Sequence, residues 1–377
     1  MKRAKYIIAR LKEAGFEAYM VGGAVRDYLR GAVPHDIDVA TSASPEQVKA
    51  LFERSIDTGI EHGTVMILIE GQGTEVTTLR TESGYSDNRR PDKVEFVKSL
   101  HEDLKRRDFT INAMAMTEQM EIIDPFGGRD DLKAGIIRAV GVPEERFSED
   151  ALRMLRAIRF SGQLNFQIDL ATKQAISDYA KNIQSVAMER VKAELDKVMV
   201  SAALGISMKY LVETRLTRFL PSGGLFELDW SGYTASFDPL SGWFYLLHKH
   251  GEAFSAIRDY RFSNQDKKDL QRALEASRLP LWDDWVYYSF TERQLTIAQA
   301  ATHKTEAVKE RQQALPIQSK SELAANGRDL MEWAGKKAGP WLKDWTLRIE
   351  KAVVERRLAN DKERIKDWFI DEYHRHT

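Results

Sequence analysis

Between Gly22 and Thr41 the chain reads GGAVRDYLRGAVPHDIDVAT: two glycines, then two aspartates flanking an isoleucine a dozen residues later. This stretch constrains the fold because the surrounding elements must bring a bare backbone turn and a carboxylate pair to neighbouring places. EAYMV before it has the character of a short strand, and AVRDYLRG that of a helix. A strand turning through Gly22 and Gly23 into a helix aims backbone N–H groups outward at the positive end of a helix dipole, where phosphate is favoured. Gly23 lets a triphosphate approach the backbone, and Arg26, one turn on, can reach it. On a strand, residues two apart share a face, so Asp36 and Asp38 project together while Ile37 and Val39 turn into the core. Carboxylates so placed repel unless a cation sits between them, and oxygen-only ligands suit Mg²⁺, which completes its shell with substrate phosphates. A ligand-free tight turn, or a surface Asp-X-Asp, explains either half alone. Their combination is far more specific.

Two-metal polymerases need a third acid on an adjacent strand. Glu75 in TEVTT and Glu95 in VEFV both sit in alternating strand patterns, and spacing does not choose between them.

A second constellation lies downstream. In LKRRDFTINAMAM, Arg106, Arg107 and Asp108 precede an apolar, buried-looking run in which Asn112 needs a partner. Arg107 there can neutralise phosphate charge while Asp108 orients it. In EDALRMLRAIRF, Asp150, Arg153, Arg156 and Arg159 recur every third residue of a predicted helix. Each such step turns about 60° back around the axis, so Asp150 and Arg153 can act together with Arg156 at their edge, while Arg159 falls on the opposite side. Asp150 can accept from an exocyclic amino group and Arg153 can donate to the adjoining ring nitrogen. Cytosine and adenine offer that pattern, and uracil and guanine offer the reverse.

The rest of the chain sets the frame. Its 377 residues suffice for two to four modules, and 43% apolar with 30% charged residues is ordinary for a globular protein. Lys+Arg (56) and Asp+Glu (57) nearly balance, so a nucleic-acid partner must be held by local basic faces. The absence of cysteine excludes disulfides and thiolate chemistry. YIIA runs straight into RLKE near the N-terminus, without the apolar core of a secretion signal, and no apolar run approaches the ~20 residues of a membrane span. The expected compartment is the cytoplasm. Strand signals (DIDVAT, GTVMILIEG, GTEVTTLRT, KVEFV) are confined to residues 1–137, and helical periodicity dominates from RFSEDALRMLRAIRF onward.

GGAVRD, HDIDVAT, EVTT, KRRDFTINAMA, IIDPFGG and RFSEDALRMLRAIRF, in that order over roughly residues 20–160, resemble the bacterial and eukaryotic kind of CCA-adding tRNA nucleotidyltransferase, of the polymerase-β-like superfamily. The resemblance implies an α+β fold. Its parts would be a catalytic head of mixed sheet and helices (1–137), a helical neck carrying the base-selecting motif (138–200), a helical body (201–313) and a helical, tRNA-binding tail (314–377). It implies Mg²⁺ ligands at Asp36 and Asp38 and favours Glu75 over Glu95 as the supporting acid. It implies nucleotide contacts at Gly22, Gly23, Arg26, Arg107, Asp150, Arg153, Arg156 and Arg159, retaining Arg159 despite its place on the helical wheel.

The partners it implies are CTP, ATP and the 3′ end of tRNA. The loop RTESGYSDNRRPDKVEF (80–96) resembles the one the family uses to switch from C to A addition. The alternatives are a bacterial poly(A) polymerase, an A-adding enzyme, or an RNA-binding protein on an inactive head. Lys336, Lys337, Arg356, Arg357, Lys362, Arg364 and Lys366 are candidate RNA-backbone contacts, each equally explicable as a solvated helix face. Trp333, Trp341, Trp345 and Trp368 read as core.

Overall fold

Strand β1 (Ala18–Val21) runs between two antiparallel neighbours, β2 (Asp38–Thr41) and the two-residue β8 (Ala115–Met116). The computed structural model describes residues 1–34, 36–59, 63–83, 93–97, 99–233, 236–302, 304 and 307–376, with only the backbone at 82–83, 93–95 and 376. With β3 (Ser55–Gly59), β4 (Thr64–Ile69), β5 (Gln72–Thr78) and β9 (Ile122–Ile123), these strands form a seven-stranded sheet of order β3-β4-β5-β2-β1-β8-β9. The β2–β5 pair is parallel and the others are antiparallel, which makes the sheet mixed.

Both faces of the sheet are covered, as the alternation of strand side chains requires. Helices α1 (Lys2–Glu13), α2 (Gly23–Leu29) and α3 (Pro45–Leu51) stand near it in the chain. Ile7, Ile8 and Leu11 of α1 and Val48 of α3 join Met20, Val39, Val65, Ile67 and Val76 in one buried cluster. Val21, Ala40 and Ala115 share a second cluster with Leu79 and with Leu104 of α4 (Leu100–Lys105). Val39 and Ala40 thus belong to opposite faces, and Asp38 falls on the side of Ala40.

Two strand boundaries differ from the sequence pattern. Strand β2 starts at Asp38, so Asp36 precedes it. GTEVTTLRT is split at Leu79: its second part, β6 (Arg80–Ser83), pairs instead with β7 (Lys93–Phe96) as a separate two-stranded ribbon. Residues 84–92 of the expected switching loop lie outside the described residues.

Beyond the sheet come α5 (Gly128–Ala134), α6 (Pro143–Glu149), α7 (Leu152–Leu164), α8 (Leu170–Tyr179), α9 (Met188–Met199) and α10 (Leu204–Glu213). One small parallel ladder, β10 (Ile136–Ile137) with β11 (Gln167–Ile168), interrupts this helical run. These elements belong to a compact unit of residues 1–231 and 259–261.

A second compact unit, residues 232–258 and 262–377, is helical: α11 (Leu240–His250), α12 (Asn264–Ser277), α13 (Asp284–Ser289), α14 (Glu292–Gln299), α15 (Val308–Gln313), α16 (Gly327–Ala334), α17 (Pro340–Val354) and α18 (Lys362–His376). The break between α17 and α18 falls at Asn360, whose side chain accepts from the Ala324 N–H and donates to the Glu322 carbonyl, 2.8 Å each. Trp345, buried at 7% exposure, packs edge-on against Trp368 and Phe369, and Trp333 and Trp341 adjoin the same aromatic group through Phe369 and Tyr373. Among the described residues no helix is long and apolar enough to cross a membrane.

Candidate active site

The site begins with strand register. Asp38 pairs with Val21, the residue before the glycines, and Val39 pairs with Val76 on β5. In a parallel pair, neighbours at one level share a face, so Glu75 stands beside Asp38, both exposed. Asp36 is exposed just before the strand, and Ile37 packs against the core between them. Glu95 lies on the β6–β7 ribbon, opposite Thr81 and outside the main sheet.

A cavity of about 650 Å³ opens on this group, lined by Asp36, Asp38, Gln72, Thr74, Glu75 and Arg3 among others. Asp38 is exposed and lines this cavity. Its desolvation, with the negative charge of Glu75 and Asp36, pushes its carboxyl above the usual carboxylate range, while Arg107 opposes the rise. Such frustration is what a hard divalent cation relieves. Among the described residues no three acidic, histidine or cysteine side chains converge enough to cage an ion alone. That donor set fits a cation taking one or two carboxylates and filling its shell with water and phosphate.

On the other side of Asp38 the chain makes its glycine turn. Gly22 has φ 72° and ψ -136°, a conformation open to glycine, and a Cβ there would lie 2.9 Å from Arg107 Nη1. Arg107 therefore lies directly over the turn. Asp103, only 1% exposed, accepts from Arg106 (2.7 Å) and from Arg107 (3.2 Å), while Arg107 Nε is buried with no hydrogen-bond partner among the described residues.

Arg26 is placed differently from what helical spacing suggests. It is 6% exposed and seated beneath the turn, with its Nη2 3.4 Å from where a Gly23 Cβ would stand. Its Nε donates to Asp27 (2.9 Å), its Nη1 donates to Asn112 Oδ1 (2.7 Å), and its guanidinium lies over the Phe160 ring. Asp108 is buried and accepts from Arg156 Nε (2.8 Å) and Nη2 (2.5 Å) and from Asn112 Nδ2 (3.1 Å). Burial alone would raise its carboxyl, but Arg156, Asn112 and Arg153 outweigh it and hold the group at about 2.

The Asp–Arg series does not lie on one helix. Asp150 occupies the extended link between α6 and α7, where its Oδ1 accepts the Leu152 N–H (3.0 Å). Its ion partner is Arg190 on α9 at 2.8 Å. Arg153 instead donates to Glu149 (2.5 Å) and to the Arg106 carbonyl (3.0 Å). Arg159, 8% exposed, points elsewhere and pairs with Glu194 at 2.7 Å over Phe160. Tertiary packing thus brings Asp108, Asp150, Arg153 and Arg156 into one wall within electrostatic reach of one another. Arg159 is near Arg156 and Asp108 but paired to Glu194, and Arg107 lies over the glycine turn.

Sequence patterns gave no signal for Arg190, Glu149 or Arg3. The first two come from helices whose charges look like ordinary surface residues, and Arg3 reaches the carboxylate cavity only through the docking of α1.

Of the tail cations, Arg356 is committed to Asp284 and to the Ala314 carbonyl, Arg357 to Glu355 and Lys362 to Asp329. Lys336 lies over the Trp341 ring. Lys337 and Arg364 are exposed and Lys366 is half-buried.

Comparison with known proteins matches residues 18–138 to the poly A polymerase head domain, 165–223 to the RNA and SrmB-binding site of polymerase A, and 241–369 to tRNA nucleotidyltransferase domain 2. The CCA-adding enzyme of Bacillus cereus (strain G9842) is 41% identical over 389 residues, 97% of either chain. This chain belongs to the CCA-adding enzymes. The crystal structure of the Bacillus stearothermophilus CCA-adding enzyme in complex with CTP superposes with a TM-score of 0.88 at 38% identity, covering 100% of this chain and 98% of that one. The Thermotoga maritima CCA-adding enzyme complexed with tRNA_CCA, at 19% identity, TM-score 0.65 and 99% and 95% coverage, shares the fold. Membership of the CCA-adding family makes the protein a nucleotidyltransferase and implies a divalent metal.

Proposed function

We propose that this CCA-adding enzyme joins C, C and A to the 3′ end of tRNA from CTP and ATP without a template, releasing pyrophosphate at each step. The observation that carries the reading is the junction at Asp38: one strand residue stands between Glu75 and Asp36 on one side and the Gly22–Arg107 turn on the other. Carboxylates for a metal and cations for a triphosphate thus meet at one point.

Asp36 and Asp38 would hold Mg²⁺, with Glu75 adding negative charge behind it. Bound there, Mg²⁺ would acidify the acceptor hydroxyl and offset the charge that grows on the α-phosphate and pyrophosphate. The Gly22–Gly23 turn and Arg107 receive the triphosphate, with Arg26 supporting the turn from beneath. Asp150 keeps lone pairs beyond those used by Leu152 and Arg190, and these accept the amino group of cytosine or adenine. Arg153 uses three of its five N–H donors internally and offers another to the ring nitrogen. Residues 1–137, 138–200, 201–313 and 314–377 act as head, neck, body and tail, the tail gripping tRNA through exposed cations such as Lys337 and Arg364. A tRNA substrate points to the cytoplasm.

The match of the head to poly A polymerase favours a second reading, A-tailing of varied RNAs from ATP alone. Incubation with Mg²⁺, CTP, ATP and a tRNA lacking its 3′ end, followed by sizing of the product, tests both. Addition of three nucleotides supports CCA synthesis. A long ATP-only tail, or no extension, refutes it.

A further inference from the structure

Asn112 joins the two halves of the site. Its Oδ1 accepts from Arg26, which lies beneath the glycine turn, and its Nδ2 donates to Asp108, which anchors Arg156 on α7. Asn112 is 6% exposed and sits on a short 3-10 turn, Thr110–Asn112, just before β8. Its amide supplies both an acceptor for a cation and a donor for an anion, so no aliphatic or singly charged side chain of its size completes both contacts. Phe160 makes a parallel contact, since Arg26, Arg156 and Arg159 all lie over its ring at 5.2, 5.6 and 4.0 Å. Helix α7, reached through this chain, follows directly from Asp150 and carries Arg153.

We propose that Asn112 is a positioning residue that couples the triphosphate turn to the base-reading wall, so that filling either subsite orders the other. Resting on the site assignment above, this explains how a template-free enzyme transmits base identity to the α-phosphate. A correct base seats Asp150 and Arg153, α7 sets Arg156, and the Asp108–Asn112–Arg26 relay sets the turn that carries the phosphates. Buried, fully paired networks of this kind couple non-additively.

The experiment measures binding of cytidine and inorganic tripolyphosphate, separately and together, to the full-length protein. In the wild type, saturating tripolyphosphate tightens cytidine binding by about tenfold, within the range for residues of one hydrogen-bonded network. Asn112→Leu keeps the shape, loses both bonds and brings that ratio to about one, while each probe still binds alone. It also lowers discrimination of CTP against UTP in kcat more than in KM. Asn112→Gln, which retains donor and acceptor, recovers part of the ratio. Independent binding in the wild type, or an unchanged ratio in Asn112→Leu, overturns the proposal. Should Asn112→Leu not fold, Arg156→Lys, which breaks the same relay at its far end, must abolish the ratio for the proposal to stand. Failure of the site assignment shows separately, as cytidine binding indifferent to Asp150→Ala.

Discussion

Asp38 and Glu75 stand side by side at one level of the parallel β2–β5 pair, one residue before the partners Val39 and Val76. Burial and the neighbouring charge of Glu75 raise the affinity of Asp38 for a proton, while the pair together attracts a divalent cation, and Asp38→Asn separates these effects. Turnover falls roughly a hundredfold to a thousandfold, the loss typical of an electrostatic group that acts in the transition state. Without divalent cations the same variant melts at higher temperature near neutral pH. The folded Asp38 carboxyl titrates above its unfolded value, so its ionisation above that value disfavours the fold. The gain vanishes below the ordinary aspartate range, where the group is protonated in both states. Thermal melts across pH in chelator check this, and equal melting temperatures at pH 7 would contradict the carboxylate crowding.

Asp108 has the opposite sign. Its carboxyl lies at about 2 when folded, against 3.8 unperturbed, so its contribution is complete above pH 4 and is lost as the pH falls toward 2. Asp108→Asn removes about 2 kcal/mol at pH 7 by this linkage. The deficit against wild type, read by urea denaturation, shrinks through that acid window. A deficit that does not depend on pH would mean that Arg156 holds Asp108 by shape alone.

Gly22→Ala strains a glycine-type backbone by roughly 1–3 kcal/mol and displaces Arg107, whose Nη1 would be 2.9 Å from the new Cβ. Its KM for CTP rises about tenfold, the equivalent of ~1.4 kcal/mol in binding, while tRNA binding is retained. Unchanged KM would detach the turn from the triphosphate.

Asp150 is held by Arg190, not by Arg153. Asp150→Ala admits UTP or GTP in single-nucleotide incorporation assays. Arg190→Ala, which leaves the acid in place but unanchored, gives the same relaxation in milder form. Unaltered selectivity in both variants would remove Asp150 from base reading.

Trimming residues 84–92 between β6 and β7 stalls products after CC, as sized on a sequencing gel, because the ribbon would lose the segment expected to accompany the switch to A. Uniformly slower addition of all three nucleotides would count against that role.

The sequence by itself determined the glycine turn, since Gly22-Gly23 follows a strand signal and opens a helix, and the chain turns there through a positive φ. It also placed Asp36 and Asp38 next to that turn, although β2 begins only at Asp38 and strand alternation is not what sets Asp36. The mixed sheet and the helical remainder were also legible, since periods of two and 3.6 residues are properties of short segments. Tertiary structure decided which residues face one another. Glu75 rather than Glu95 neighbours Asp38 because of a parallel pairing between strands more than thirty residues apart. The Arg153–Glu149 pair is a local one at i,i+4 spacing, whereas Asp150 meets Arg190, 40 residues on, and Arg26 folds inward to Asn112, 86 residues on. Distant charge partners are chosen by packing across the chain, where a guanidinium on a long flexible stem has several carboxylates within reach, and no local spacing encodes that choice.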